Sequence, residues 1–280
     1  LDRRYIEHRI NECRRNLINV AKDRDTQRKL RNSSPLPQVA LVGYTNAGKS
    51  TVMNSLLSYF HQDEERKVLE QDMVILAYPT QFSNLPFMVR TFIKENAAGW
   101  RDTKVFCLST MGLFSGDATG CAARLLRKYG ARVIGGLQVR MPDSVCDHKA
   151  LKKTEAENRE IICEAEEKII KAASQMKQEK YPREGLSVFA HMAGLFGQRL
   201  WFLSKTKDYS RELKISDACI GCGVCAKACP MKNLTIENGK AKAQGRCTMC
   251  YSCISRCPRQ AITLLGKSVV DQYRFEKYCG

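Results

Sequence analysis

"CIGCGVCAKACP", residues 219–230, and "CTMCYSCISRCP", residues 247–258, are one pattern written twice, 28 residues apart. Each reads Cys-x2-Cys-x2-Cys-x3-Cys-Pro. Three closely spaced thiolates wrap one side of an iron–sulfur cubane, and a fourth, set just before Pro, reaches across to the neighbouring cluster. The spacing therefore predicts one 4Fe–4S cluster on Cys219, Cys222, Cys225 and Cys257. It predicts a second on Cys247, Cys250, Cys253 and Cys229. Zinc and disulfides are the other uses of so many cysteines, but zinc sites favour paired Cys-x2-Cys units over four-cysteine runs ending in Cys-Pro. Gly221 and Gly223 suit a tight backbone that aims N–H groups at sulfur.

Working outward, the runs lie in a compact unit at 215–266 whose halves repeat: cysteine run, Pro, short β-branched segment. "NLTIENGKAKA" places an Asn-Gly turn between two short strands, and "AITLLG" is the matching strand of the second half. This is a small α+β domain. Two clusters in one such unit imply one-electron transfer.

Eight of the 14 cysteines sit in the two runs and six are scattered. Cys107, Cys121 and Cys163 fall in strand or helix patterns and read as packing residues. Cys13, Cys146 and Cys279 read as free thiols. Scattered thiols and a charged, helical start predict a reducing, cytoplasmic setting. His8, His61, His148 and His191 show no ligand spacing. The longest apolar stretch, 185–203, carries His191, Gln198 and Arg199, so it reads as an amphipathic or packing helix and no transmembrane segment is expected. The net charge of +17 points to acidic partners.

The rest of the chain alternates strands and helices. Residues 1–34 read as a helical, basic extension. "QVALVG" is a strand, followed by a Gly-rich turn and the helix "KSTVMNSLLSYF". "MVILAYPT" (73–80), "KVFCLST" (104–110) and "RVIGGLQVRMPD" (132–143) are further strands, separated by helices at "LPFMVRTFIKEN" and "CAARLLRKYG". Alternation of this kind means a parallel α/β sheet. A long charged helix is expected over 149–180. The organisation is thus a helical segment (1–34), a phosphate-loop fragment (35–73), an α/β region (74–180), a linker and helix (181–214), the Cys-rich domain (215–266) and a tail (267–280).

From about Met73 to Gly280 the chain resembles the EFR-type ferredoxins, which fuse a flavodoxin-like domain to a dicluster ferredoxin domain. The matching residues are "VILAYPTQFSNLPFMV", "TMGLFSGDATG", "VRMPDSVCD" and the Cys-rich tail. The resemblance implies FMN as a cofactor beside the clusters, and redox proteins as partners. It would place Thr80, Gln81, Phe82, Asn84, Met111, Gly112, Phe114 and Gly116 around the isoalloxazine ring, on loops at the C-terminal ends of strands. The strand and phosphate-gripping turn with which a flavodoxin begins are missing before Met73.

Residues 1 to about 73 resemble the HflX-type ribosome-associated GTPases, through "LDRRYIEHRI", "RDTQRK", "VALVGYTNAGKSTVMN" and "KVLEQDM". The resemblance implies GTP and magnesium as ligands. Gly43, Asn46, Ala47, Gly48, Lys49, Ser50 and Thr51 would cradle the phosphates and metal. It also implies ribosome or RNA contact through the basic N-terminal helix. No Asn-Lys-x-Asp segment follows, and the one Asp-x-x-Gly, Asp117–Gly120, reads as coincidence, so hydrolysis is not expected. The chain reads as a chimera, whose flavodoxin-like parallel sheet is either incomplete or has the phosphate-loop strand standing in for its missing first strand. Iron–sulfur electron transfer is the function expected; a GTP-binding, ribosome-associated protein is the alternative.

Overall fold

The computed structural model describes residues 39–43, 73–200, 212–264 and 266–272. The N-terminal helical segment lies outside the described residues, as do His8, His61, Cys13, Cys279 and every candidate phosphate-binding residue except Gly43.

Four parallel strands form one sheet: β1 (Val39–Gly43), β2 (Met73–Pro79), β3 (Lys104–Met111) and β4 (Arg132–Arg140), in the order β1-β2-β3-β4. The phosphate-loop strand β1 pairs with β2 in unbroken register, from Val39 opposite Met73 to Gly43 opposite Ala77. A doubly wound order of 2-1-3-4-5 that loses its outer strand 2 leaves this arrangement. The substitution expected from the sequence is what the sheet contains.

β2 and β3 are continuous apolar runs because both sheet faces are covered. On one face Ile75, Phe106, Leu108, Leu137 and Val139 pack against Ile162, Ala165, Ile169 and Ala172 of the long helix α3 (Glu155–Lys177). On the other, Val74, Leu76, Tyr78, Val105 and Cys107 pack against α1 (Phe87–Glu95) and α2 (Ala118–Lys128) through Val89, Ile93, Ala122 and Leu126. α3 begins at Glu155, later than residue 149, because Thr154 closes a capping box with Glu157. Residues 149–151 form only a 3-10 turn.

Part of the linker acts as sheet edge. Pro182 O accepts from Gly136 N at 2.8 Å and Glu184 N donates to Gly136 O at 2.9 Å. A Cβ on Gly136 would come within 2.8 Å of Glu184 O. The outer edge of β4 is thereby covered, which blunts edge pairing. The chain then forms α4 (Val188–Gly194), which runs on as a π-helical turn, Leu195–Arg199. No helix among the described residues is long and apolar enough to cross a membrane.

The last domain pairs β5 (Leu213–Ile215) with β8 (Ile262–Leu264) and β6 (Leu234–Glu237) with β7 (Lys240–Ala243), both antiparallel. Asn238 and Gly239 turn the β6–β7 hairpin with φ of 50° and 74°, as a two-residue primed turn requires. Between the strand pairs lie two short helices, α5 (Val224–Ala228) and α6 (Ser252–Arg256).

Candidate metal centre and cofactor edge

The two cysteine runs fold alike. Gly221 and Gly223 have φ of 65° and 75°, and Met249 and Tyr251, 28 residues on, have 55° and 57°. The left-handed turns swing each run of three thiols to one side before its helix starts. In the first run this conformation comes free with glycine; in the second it is held by packing around side chains.

The runs cross-supply each other. One cavity is lined by Cys219, Cys222, Cys225 and Cys257. The other is lined by Cys247, Cys250, Cys253 and Cys229. The eight thiols thus lie in two groups of four, each taking its fourth member from the other run. All eight are free thiols. They ring each cavity rather than closing on a point: among the described residues no three Cys, His, Asp or Glu are placed for a single ion. Walls of Ile220, Ile236 and Ile262 in one cavity, and of Leu213, Leu234 and Ile254 in the other, are apolar.

Backbone N–H groups point at sulfur. Ala241 N donates to Cys219 Sγ at 3.4 Å, Asn233 N to Cys229 Sγ at 3.3 Å, Met249 N to Cys247 Sγ at 3.4 Å and Ala261 N to Cys257 Sγ at 3.3 Å. The Ala241 and Gly221 N–H groups hold the Cys219 thiol below its usual range. Burial pushes Cys225, Cys247 and Cys253 upward. Four thiols, amide donors to sulfur and an apolar wall fit a cubane cluster, whose own positive charge would stabilise the thiolates.

The second cavity faces the α/β sheet. Gln81 Nε2 donates to Thr248 O at 2.9 Å, joining the loop after β2 to the loop between Cys247 and Cys250. Cys250 packs on the sheet core beside α1 and α2. Tyr251 OH donates to Asp147 Oδ2 at 3.0 Å, and Cys146 Sγ lies 3.0 Å from Ser255 Oγ. Cys146 is a buried interdomain residue.

The eight residues expected around a flavin ring gather at the C-terminal edge of the sheet, but several face the protein itself. Asn84 Oδ1 accepts from Leu85 N and Arg90. Gly112 abuts Asp143, whose carboxyl is raised by burial. Gly116 has φ of 53°, its O accepts from Gln138, and a Cβ there would lie 2.6 Å from Gly194 Cα. Met111 O accepts from Met141 N at 2.8 Å. Phe82 sits in a left-handed turn with φ of 50°. Phe114 is half-exposed. The Thr80 hydroxyl is buried without a hydrogen-bond partner among the described residues, a deficit that a ligand group would satisfy.

A cluster that sequence reading missed lies at the same edge. Asp117, wholly buried at the start of α2, meets Arg124 at 2.5 Å, His191 Nδ1 at 2.8 Å and Arg199 in a short contact. Arg199 also donates to Ser83 O at 2.9 Å. Asp117 thus fastens α4 and its π-helical turn over the two loops. Gly120 allows Gly185 O to approach, where a Cβ would lie 2.5 Å away. Among the described residues, the Asp-x-x-Gly thus packs against the linker. The separations in sequence, 74 and 82 residues, left no local signal.

Comparison with known proteins divides the chain. A family model described as a 4Fe-4S dicluster domain matches residues 212–258. A ferredoxin from Pyrobaculum islandicum is 32% identical over 83 residues, 27% of this chain and 78% of that protein. The chain belongs to the ferredoxin family. The likeness lies in its dicluster domain. The front is different. A model described as 50S ribosome-binding GTPase matches residues 38–171, well past Met73. The GTPase HflX of Caldanaerobacter subterraneus is 48% identical over 56 residues, 20% of this chain. The chain spans only 13% of that relative's length. A flavodoxin from the domain Archaea superposes with a TM-score of 0.34 at 14% identity, covering 50% of this chain and 99% of that one. This ferredoxin is therefore chimeric, with GTPase-like sequence ahead of its dicluster domain.

Proposed function

We propose that this chain is a one-electron carrier holding two 4Fe–4S clusters, one on Cys219, Cys222, Cys225 and Cys257, the other on Cys247, Cys250, Cys253 and Cys229, and that it exchanges electrons with FMN at the edge of the sheet. The grouping of the eight thiols around two cavities, each completed by a cysteine from the other run, carries the reading. The clusters would supply reversible one-electron storage. The chain's own residues supply the rest. Backbone N–H groups of Ala241, Asn233, Met249 and Ala261 stabilise negative charge on sulfur, which favours the reduced form. Tyr251 and the isoleucine-lined walls keep water away. Gln81 holds the cofactor-edge loop against Thr248, so the path between the two parts is short.

The test is iron, acid-labile sulfide and flavin per chain, with electron paramagnetic resonance of the anaerobically reduced protein. Cys257→Ser should disturb the cluster of the first run although it lies in the second, and Cys229→Ser the converse. Reduced protein without two interacting clusters would overturn the reading.

The match to a GTPase model over residues 38–171 favours a second reading, in which the chain binds a guanine nucleotide and associates with the ribosome. Nucleotide binding equal in the wild type and Lys49→Ala would dispose of it.

A further inference from the structure

The dicluster domain is a two-fold repeat, so its ends can be compared position by position. Ile220 is 60% exposed, whereas its counterpart Thr248 has a buried hydroxyl and a backbone oxygen bound by Gln81. Val224 is 38% exposed and Ser252 4%. Ile236 is 39% exposed and Leu264 1%. Gly223 has open space around it, while Tyr251 is buried against Asp147. One end is covered by the α/β sheet. The other presents three branched apolar side chains to solvent, and two of them, Ile220 and Ile236, also line the first cavity.

An uncovered end would be served best by polar residues, yet here the apolar members of the repeat pair Ile220/Thr248 and Val224/Ser252 lie on the open side. Apolar groups so placed around a redox centre form the middle of an interface, where burial supplies affinity and distance to the centre is least. The rim has a sign. Asp217 and Glu237 are each bound to a lysine, Lys240 and Lys242, at 2.6 and 2.8 Å. Arg259, which lines the cavity, and Lys227 are exposed and make no ion pair with other described residues. The chain carries +17 overall. We infer that the face formed by Ile220, Val224 and Ile236, rimmed by Arg259 and Lys227, is the docking site for an acidic redox protein. The inference rests on the two-cluster reading above. One electron at a time crosses this face, oxidising one protein and reducing the other, with no bond made or broken.

The experiment uses the full, cluster-loaded chain and a small acidic flavodoxin as probe, with binding followed by calorimetry and electron transfer by stopped-flow absorbance. Ile220→Asp and Arg259→Glu should each weaken binding about tenfold or more, since each sets a negative charge against a negative partner. Wild-type binding should weaken steeply with salt, while Ile170→Ser, exposed on α3, should change nothing. Iron and sulfide are measured on the same samples. Missing iron and sulfide would overturn the cluster reading and this inference with it. Full iron and sulfide with unaltered binding in Ile220→Asp, or with no binding by the wild type, would overturn the docking face alone. So would a wild-type dimer that Ile220→Asp dissociates, because the face would then be filled by a second copy.

Discussion

Asp117 has no exposed side chain and binds Arg124, His191 and Arg199. The side chain of Arg199 is itself 10% exposed, so removing its counter-ion strands a nearly buried charge. Asp117→Asn should cost about 3–5 kcal/mol of stability in urea unfolding, and Arg199→Met added to it should recover part of that loss, because an unpaired buried charge is worse than none. An effect below about 1 kcal/mol would mean that the two loops are held without this pair. Cys107, in the middle of β3, behaves oppositely. Burial pushes its thiol up to about 12 from 9.0. The folded state thus prefers the protonated thiol, and its contribution is whole below pH 9, where the unfolded thiol is also protonated. It is lost as pH rises from 9 towards 12, by up to about 1.4 kcal/mol per pH unit. Cys107→Val should flatten the fall in stability between pH 8 and 10.5; equal slopes in the two proteins would show that Cys107 does not cause it, since Tyr78, also raised by burial, contributes only above its ordinary value of 10.0.

At the scale of elements, the cap of α3 can be tested alone. Thr154 accepts from Glu157 N at 3.3 Å and Glu157 Oε2 accepts from Thr154 N at 2.7 Å. Both side chains sit in water, so Thr154→Ala should cost only about 1 kcal/mol, read as a small shift of the urea midpoint with unchanged slope. A null result would assign helix initiation to the packing of Ile161 and Ile162. The box Thr-x-x-Glu was on view in the sequence, yet the charged run from 149 concealed where the helix began. The strands were easier. Runs such as "MVILAYP" and "KVFCLST" can only be buried on both faces, and each appears within a residue of its expected end. The cysteine runs were legible because ligand spacing is a local property. Residues 182–184 were not, since their partner is the open edge of β4 and the glycine there that admits them. Cys163 looked like a packing residue from its helical setting and is exposed, because helical position alone does not say which face meets the sheet. Asp117, His191 and Arg199 were opaque for the same reason: their meaning lies in a fold that brings α4 back over α2.

For the whole molecule, the question is how far the two folding units depend on each other. The sheet cores contain only one of the candidate ligands, Cys250, and that at their margin. The core of the ferredoxin domain is the reverse: Cys225, Cys253 and Cys257 are buried among Leu213, Leu234, Ile254, Ile262 and Leu264. So small a domain has too little apolar interior to stand without its metal. Stripping iron with a chelator under reducing conditions should therefore unfold residues 213–264, seen as loss of amide protection by hydrogen exchange. β2 and β3 should keep theirs. The boundary between the units should not stay neutral, because Gln81 is tied to Thr248, Asp147 to Tyr251 and Cys146 to Ser255. Protection in 80–84 and 143–147 should fall with the metal, by local opening rather than global unfolding. Loss of protection throughout β3 would mean that the units fold as one. Unchanged protection in 80–84 and 143–147 would mean that these three bonds contribute no coupling, and that this edge of the sheet keeps its shape whether or not iron is present.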